Sequence, residues 1–586
     1  MSILRHTTNN FLARLRLIYG ANTCPRLRKG ALSDSVATIV LPPFLLAYMQ
    51  RDLFTHGLIA LVFTATFAPL AWYAIGAPDL VGIDDAAITR NYAENIAAGH
   101  GFVFNIGGER VEGATSLLWT GLIAIIYLLP VNDAVAILTL TYVITAGAVA
   151  LYLTIASQLA LRLGGTARAG LFAAVLLLIG LPDFLVWSVF SMMETALWSL
   201  MLTLLILRLI RQTDSDPPDQ RDPWLVLAAC AMPLTRPEGV AMAAGLIVLA
   251  MTLRGGPNRA LIAALLTTIG TCVAAVAFRL WYFGYPMPNT YYAKVSSDRV
   301  QNIVDGAKYL ADFLFARPFA DFGAVACATM LTLAVLQPRR EWAKAITLLA
   351  CTVFGVLAVY VVLGGDHFTL WRLYLPILPL LILLAGVAMQ SQLPRIAGWR
   401  GTMAAAAGLT LYLGLSWLFL YQNRADVAKE YDLTAKGIAF GNFLNTVEPP
   451  PKLGVIAAGG IALSYEGAIS DLMGLNWTVM AHANPVKEGY RNHASFDAST
   501  FYQHPPDLIA LFTRDTCQDD NWSEPRASSG PMKGIVMETQ FQQMYQPVVL
   551  RDGATGCWNG YARRTWLDQT SEPRISPRNW ADLTLG

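Results

Sequence analysis

The chain has 586 residues, 55% of them hydrophobic and only 14% charged. Ordinary soluble domains carry roughly 25% charged residues, so the composition excludes a soluble globular protein and indicates an integral membrane protein. The net charge of +2 gives no basis for a nucleic-acid partner; the bilayer is the partner that the composition implies.

The first 30 residues are basic (Arg5, Arg14, Arg16, Arg26, Arg28, Lys29) and lack a small-residue cleavage site after a short apolar core. They do not read as a signal peptide. Residues 37–49 are apolar but short and contain Pro42-Pro43, which makes them interfacial and gives a basic N-terminal stretch over 1–55. Apolar runs then fall near 56–76, 134–160, 168–187, 194–211, 224–236, 240–254, 259–282, 322–336, 343–364, 372–390 and 402–421. They predict a transmembrane region over 56–421 with about 11 helices, several shorter than the ~20 residues of a full span and so tilted or broken. Residues 116–130 are also apolar, yet as a span they invert every later loop. Laid along the outer surface, they leave Arg162/Arg168, Arg208/Arg211/Arg221, Arg254/Arg259, Arg339/Arg340/Lys344 and Arg395/Arg400 on the cytoplasmic side with the N-terminus. The expected location is the cytoplasmic (inner) membrane of a bacterium, with the C-terminus outside. From 422 to 586 no span remains. Short apolar runs (GVIAAGGIAL, PDLIALF) alternate with Gly, Pro and Asn there, the pattern of a small extracytoplasmic α/β domain.

Seven cysteines show no CxxC pair and no zinc-like spacing. Cys230, Cys272, Cys327 and Cys351 fall in apolar runs. Cys517 and Cys557 lie in the polar tail, where an oxidising compartment would let them pair.

The polar signals converge on the outer side. The loop over 77–130 opens with Asp84 and Asp85 beside the first apolar run and carries Arg90, Glu94, Asn105, Glu109, Arg110 and Glu112. Carboxylates this near hydrocarbon are costly unless they face water, a partner or a substrate. Four further segments share that side: SMMETALW with Glu194, LTRPEG with Arg236 and Glu238, GYPMPNTYYAK with Asn289, Tyr291, Tyr292 and Lys294, and GGDHFTLWR with Asp366, His367 and Arg372. Asp84 reads either as a helix N-cap or, with Asp85, as a carboxylate placed to take a proton from an attacking hydroxyl. The pair also leaves a divalent metal open, although no third carboxylate stands at fixed spacing. Arg90, Arg110, Lys294, His367 and Arg372 are candidate donors to a lipid phosphate. Arg372, directly before a span, reads first as a snorkelling side chain. The Tyr291-Tyr292 pair reads as interfacial belt or as a sugar-stacking surface. In the tail, His482, Arg491, His493 and Asp497 give a weak acceptor signal.

The acidic pair, the Arg-bearing helix and GHGFVFNIGGERVEGATSLLWT resemble the first extracytoplasmic loop of GT-C membrane glycosyltransferases. They are most similar to the terminal arabinofuranosyltransferases of actinobacterial cell walls and their relatives in other bacteria. The later segments fall in the order that the resemblance implies, over roughly residues 56–380. It implies an enzyme that takes a pentofuranose, arabinofuranose above all, from a polyprenyl-phosphate donor and transfers it with inversion on the outer face of the membrane. The acceptor would be an envelope glycan, a lipid-linked glycan or a protein. Asp84 and Asp85 then hold the catalytic positions. Arg90, Arg110, Lys294, His367, Arg372 and Tyr292 are assigned to the donor, and Asn105, Glu112, Glu194, Arg236, Glu238, Asn289 and Asp366 to the substrate. The chain departs from the pattern in its basic N-terminal extension and in having Met192 or Met193 where relatives often carry Gly. An oligosaccharide ligase is the nearest alternative among enzymes. A lipid-linked sugar transporter or flippase would place its ionisable groups near the bilayer midplane and often show inverted repeats, and the sequence shows neither.

Overall fold

The computed structural model describes residues 43–214, 220–296, 298–392, 399–483, 496–510, 532, 534–553 and 556–583. The N-terminal basic residues, Arg395, Arg491, His493 and Cys517 lie outside the described residues. Leu53–Gly586 forms one compact unit.

Its larger part is helical. Among the described residues, six helices are long and apolar enough to cross a membrane: Leu53–Ala74, Asp133–Arg162, Thr195–Asp214, Arg259–Tyr282, Ala343–Val362 and Gly401–Gln422. Two further pairs, Ala167–Ile179 with Pro182–Phe190 and Arg299–Ala316 with Ala320–Leu336, bend by 78° and 102°, so the total is up to eight. All eleven apolar runs are helical, but Pro223–Thr235 and Gly239–Arg254 are short. At 1.5 Å per residue, helices of 13 and 16 residues reach only about 20–24 Å of a hydrocarbon core of ~30 Å. The described part of the 37–49 run, residues 43–49, belongs to one helix that runs from Pro43 to Ala74.

The ends of several helices are fixed by side chains that satisfy orphan amides. Asn132, Asp222 and Asn258 accept from Val135, Leu225 and Leu261 N–H at 3.0, 3.0 and 2.8 Å. Both bent pairs are held by one buried ion pair: Arg317 Nε and Nη2 donate to Asp183 Oδ2 and Oδ1 at 2.9 and 3.0 Å. The bends are therefore tied to each other across 134 residues of sequence.

The apolar run at 116–130 forms an 11-residue helix, Leu117–Tyr127, too short to span. Trp119, Thr120, Ile123, Ala124 and Ile126 are buried, while Ile125, Leu128 and Leu129 are exposed. The basic loops gather elsewhere. Arg162 pairs with Asp214 and Arg208 with Asp222, while Arg254 and Lys344 donate to the carbonyls of Gln212 and Thr213. The 20-residue helix Thr195–Asp214 separates this cluster from the Glu194 end by about 30 Å.

Beyond Gln422 the chain forms helix Arg424–Leu444 and a six-stranded sheet. Its strands are β1 (Leu453–Val455), β2 (Ile469–Asp471), β3 (Leu508–Ala510), β4 (Tyr545–Asp552), β5 (Gly556–Arg563) and β6 (Ile575–Pro577). They lie in the order β2-β1-β3-β5-β4-β6, with β1 parallel to β2 and β3 and the remaining pairs antiparallel. Cys557, in β5, is disulfide-bonded. One apolar cluster joins Ile88, Tyr92, Phe102, Phe104 and Val111 of the first loop to Phe440, Leu453, Val455, Ile461 and Leu508. The sheet region is thus packed onto the first loop through a shared core, not tethered beside it.

Candidate active site

The Asp84–Ala97 helix begins one residue earlier than a capping role for Asp84 requires. Its N-cap is Ile83, and no side chain caps it. Asp84 and Asp85 are therefore the first two helical residues, and successive residues diverge by about 100°. Asp84 points to the sheet region: its Oδ2 and Oδ1 accept from Gly459 N at 3.0 Å and Gly460 N at 2.8 Å. No side chain fits at Gly459, where an added Cβ would strike the Asp84 carbonyl. Burial raises the Asp84 carboxyl to about 6, against the pull of the two glycine amides.

Asp85 faces the other way, into a cavity of about 370 Å³. All five polar segments reach its wall: Asp85, then Met193 and Glu194, then Arg236 and Glu238, then Tyr291 and Lys294, then Asp366 and Arg372. Leu475 from the sheet region closes it.

Two charged groups line this cavity. In the first, Arg372 lies between two acids, with Nη1 3.1 Å from Asp85 Oδ2 and Nε 2.5 Å from Asp366 Oδ2. Lys294 Nζ stands 3.9 Å from the same Asp85 oxygen. Arg372 is buried, with its guanidinium 3.5 Å from the centre of the Phe368 ring. It does not snorkel, because two carboxylates and an aromatic face hold it inside. Burial opposes ionisation of Asp366, but Arg372 and His367 outweigh it and keep that carboxyl well below its ordinary range. The backbone entering Arg372 is strained: Leu370 and Trp371 have φ of 61° and 50°, a conformation costly for any residue with a Cβ. In the second group, Arg236 bridges Glu194 (Nη1, 2.5 Å) and Glu238 (Nε, 2.6 Å), and Tyr360 Oη donates to Glu238 at 2.7 Å. The Glu194 segment follows a π-helical turn, Val186–Phe190. Met192 there has φ 58°, so of the two methionines it is the one in a glycine-favouring conformation. Its carbonyl accepts from Trp119 Nε1 at 3.0 Å.

The remaining sequence candidates do not line the cavity. Arg90 donates to Asp133 at 2.8 Å and to the Val81 carbonyl at 3.0 Å. Arg110 lies over the Tyr282 ring at 4.6 Å. Glu112 is buried in a bidentate pair with Arg279, at 2.8 Å for both Nε–Oε2 and Nη2–Oε1. Asn105 spans the edge strand β2, donating to the Ile469 carbonyl and accepting from its N–H, each at 2.9 Å. Asn289 donates to the carbonyls of Gly474 and Leu475 at 2.8 and 2.9 Å. Tyr292 packs on the His482 ring at 4.2 Å, while its neighbour Tyr291 lines the cavity. His367 backs Asp366, its Nδ1 3.2 Å from Oδ1. The donor role expected of Arg90 and the substrate roles expected of Glu112, Asn105 and Asn289 thus meet side chains bonded to other parts of the protein and outside the cavity lining.

Sequence reasoning missed Leu475, Tyr360, the Gly459-Gly460 amides and Glu430. Glu430, half-buried on helix Arg424–Leu444, has its carboxyl pushed up to about 7 by burial and by the charge of Asp85. The adjacent glycines in GVIAAGGIAL were the one visible trace of the Asp84 contact. Among the described residues no three His, Cys, Asp or Glu side chains form a metal-ligating group.

No family model matches the sequence, and no curated protein matches it. Among solved structures, the chain is similar to ArnT from Cupriavidus metallidurans bound to undecaprenyl phosphate. The TM-score is 0.47 at 15% identity, over 77% of this chain and 92% of that one.

Proposed function

We propose that this chain is a membrane glycosyltransferase of the GT-C type. It transfers a sugar, arabinofuranose above all, from a polyprenyl-phosphate donor to an envelope acceptor on the outer face of the inner membrane. The observation that carries the reading is one cavity in which a carboxylate, Asp85, stands 3.1 Å from Arg372 and 3.9 Å from Lys294. That combination matches the two demands of the reaction, a base for a hydroxyl and cations for a departing phosphate.

Asp85 takes the proton of the acceptor hydroxyl as its oxygen attacks the anomeric carbon. The bond from that carbon to the phosphate oxygen breaks, and the phosphate leaves with the electron pair. Lys294 and Arg372 take up its charge. Phosphate is a weak base and needs no proton to depart. While the donor is bound, the two cations share their charge with the phosphate, so Asp85 is less strongly held as an anion and becomes a better base. Asp366 keeps Arg372 oriented throughout. Asp84 takes no part in proton transfer in this scheme: it fastens the sheet region, and with it Leu475, to the cavity wall. The Glu194–Arg236–Glu238 group supplies acceptors for sugar hydroxyls.

The test is transfer from decaprenyl-phosphoryl-arabinose and other polyprenyl-phosphate sugars by purified protein in lipid discs. Release of polyprenyl phosphate from at least one donor, lost in Asp85→Asn, is the expected result. Near-normal turnover in Asp85→Asn would overturn the assignment of the base.

A further inference from the structure

A second, smaller cavity of about 220 Å³ lies where the first loop meets the sheet region. It is lined by Asn105, Glu109, Lys452, Ser470, Asn476 and Trp477, among others. The two cavities share a partition. Val111 lines the small one and Gly113 the large one; likewise Asn476 and Trp477 line the small one and Leu475 the large one. The partition is rigid: Tyr92 Oη donates to Asn476 Oδ1 at 3.1 Å, and Asn476 Nδ2 donates to Asp471 Oδ2 at 2.9 Å. An added Cβ at Gly113 would run into the Asn476 amide.

The lining has a definite chemistry. Trp477 is half-buried and offers a flat apolar wall. Lys452 Nζ lies 6.0 Å from its ring centre, a cationic donor at the edge of that wall. Glu109 uses one oxygen on the Thr478 N–H, at 2.8 Å, and its second oxygen remains to accept a hydroxyl proton. Ser470 adds a hydroxyl able to donate or accept. One carboxylate and one ammonium cancel in charge, so an anionic phosphate gains no net attraction here and is repelled by Glu109. Donors, acceptors and an aromatic plane without net charge suit a neutral polyhydroxylated ring.

We propose that this cavity is a subsite for one sugar ring of a glycan acceptor. The ring belongs to the same glycan as the unit whose hydroxyl reacts in the larger cavity. The assignment rests on the glycosyltransferase reading, since a glycan gripped by the sheet region would be held beside the Asp85 cavity. It also identifies the acceptor as an oligosaccharide chain whose inner residue is gripped by the sheet region.

The test measures binding without turnover. Fluorophore-labelled linear tetrasaccharides of arabinofuranose, galactofuranose, mannose and glucose are titrated by anisotropy against the full chain in lipid discs, with no donor present. At least one tetrasaccharide is expected to bind the wild type. Its affinity should fall at least threefold in both Trp477→Ala and Lys452→Met, and Trp477→Phe, which keeps an aromatic wall, should retain most of it. Thermal unfolding of each variant identifies a folding failure, and the lysine substitution leaves the Trp477 ring itself in place. Absence of binding to the wild type, or affinity within threefold of it in either variant, would overturn the subsite. Retained turnover in Asp85→Asn would instead overturn the transfer mechanism and leave the binding result standing.

Discussion

The Asp85 cavity and the seam between the first loop and the sheet region are built from the same kinds of residue, yet their charges end in opposite situations. Two acids of the first loop that lie outside the cavity have closed sets of partners. Glu112 is sealed in a bidentate pair with Arg279, and Asp84 has two glycine amides. At the cavity Asp85 shares two cations, neither of them its alone: Arg372 is also bonded to Asp366, and Lys294 stands at 3.9 Å. A closed pair fixes structure, because breaking it leaves a buried charge with no partner. Cations shared between two acids can exchange partners when a phosphate arrives. Charge near hydrocarbon therefore does not identify a reacting group; its place on the cavity wall does.

The largest effect that would break this contrast is on the cavity side. Asp85→Asn keeps the shape and removes the base, so transfer should fall by about 10²–10⁴-fold while expression and thermal unfolding stay close to wild type. Loss of folding would place Asp85 with the seam acids instead. Its counterpart at the seam is Arg279→Met, which strips the partner from buried Glu112. A cost of about 3–5 kcal/mol is expected, read as a lower unfolding temperature or failure to purify folded protein. Restoration by the double variant Glu112→Gln/Arg279→Met would show that the unpaired charge, not lost packing, was responsible.

Much of this division could not be read from the sequence. The five segments around the cavity were legible because membrane topology sorts loops to two sides, and polar groups crowded on one of them stand out against apolar spans. Partner choice was not legible. Whether Glu112 meets a ligand or Arg279 depends on a helix 167 positions away in sequence, and no local pattern encodes that. Asp84 and Asp85 look equivalent as a dipeptide and part company only through the helix start at Ile83 and the glycines of a sheet region 375 residues downstream. The number of full spans was blurred by bends at Asp183 and Arg317, whose mutual ion pair makes broken helices stable. Arg372 was misread because position before a span favours snorkelling, whereas Asp366 and Asp85 together outweigh the attraction of the interface.

A smaller effect sharpens the role of Asp84. Its carboxyl titrates at about 6 in the fold against an ordinary 3.8, so the folded state binds this proton more tightly than the unfolded state does. The sign follows from linkage: the contribution is fully present below pH 3.8 and is lost as pH rises through 6. Asp84→Asn does not titrate. The stability of the wild type relative to Asp84→Asn should therefore decline between pH 4 and 6, by up to about 3 kcal/mol for a shift of roughly two units. Thermal unfolding of both proteins across that range reads it directly. A flat difference would mean that Asp84 is as solvated as an ordinary surface acid.

The smallest expected effect decides what an exposed arginine on the first loop does. Arg110 lies over Tyr282 at 4.6 Å and does not line the cavity, and an exposed contact of this kind is worth about 0.5–1 kcal/mol. Arg110→Ala should therefore lower stability slightly and leave the apparent KM for donor within about twofold, a difference under 0.5 kcal/mol. Lys294→Ala, which removes a cation 3.9 Å from Asp85, should weaken donor binding far more. A tenfold rise in donor KM for Arg110→Ala would return it to the donor site and require the loop to move toward the cavity when lipid binds. If the two variants part as expected, lining the cavity, and not mere membership of the polar loop, is what marks a phosphate ligand in this protein.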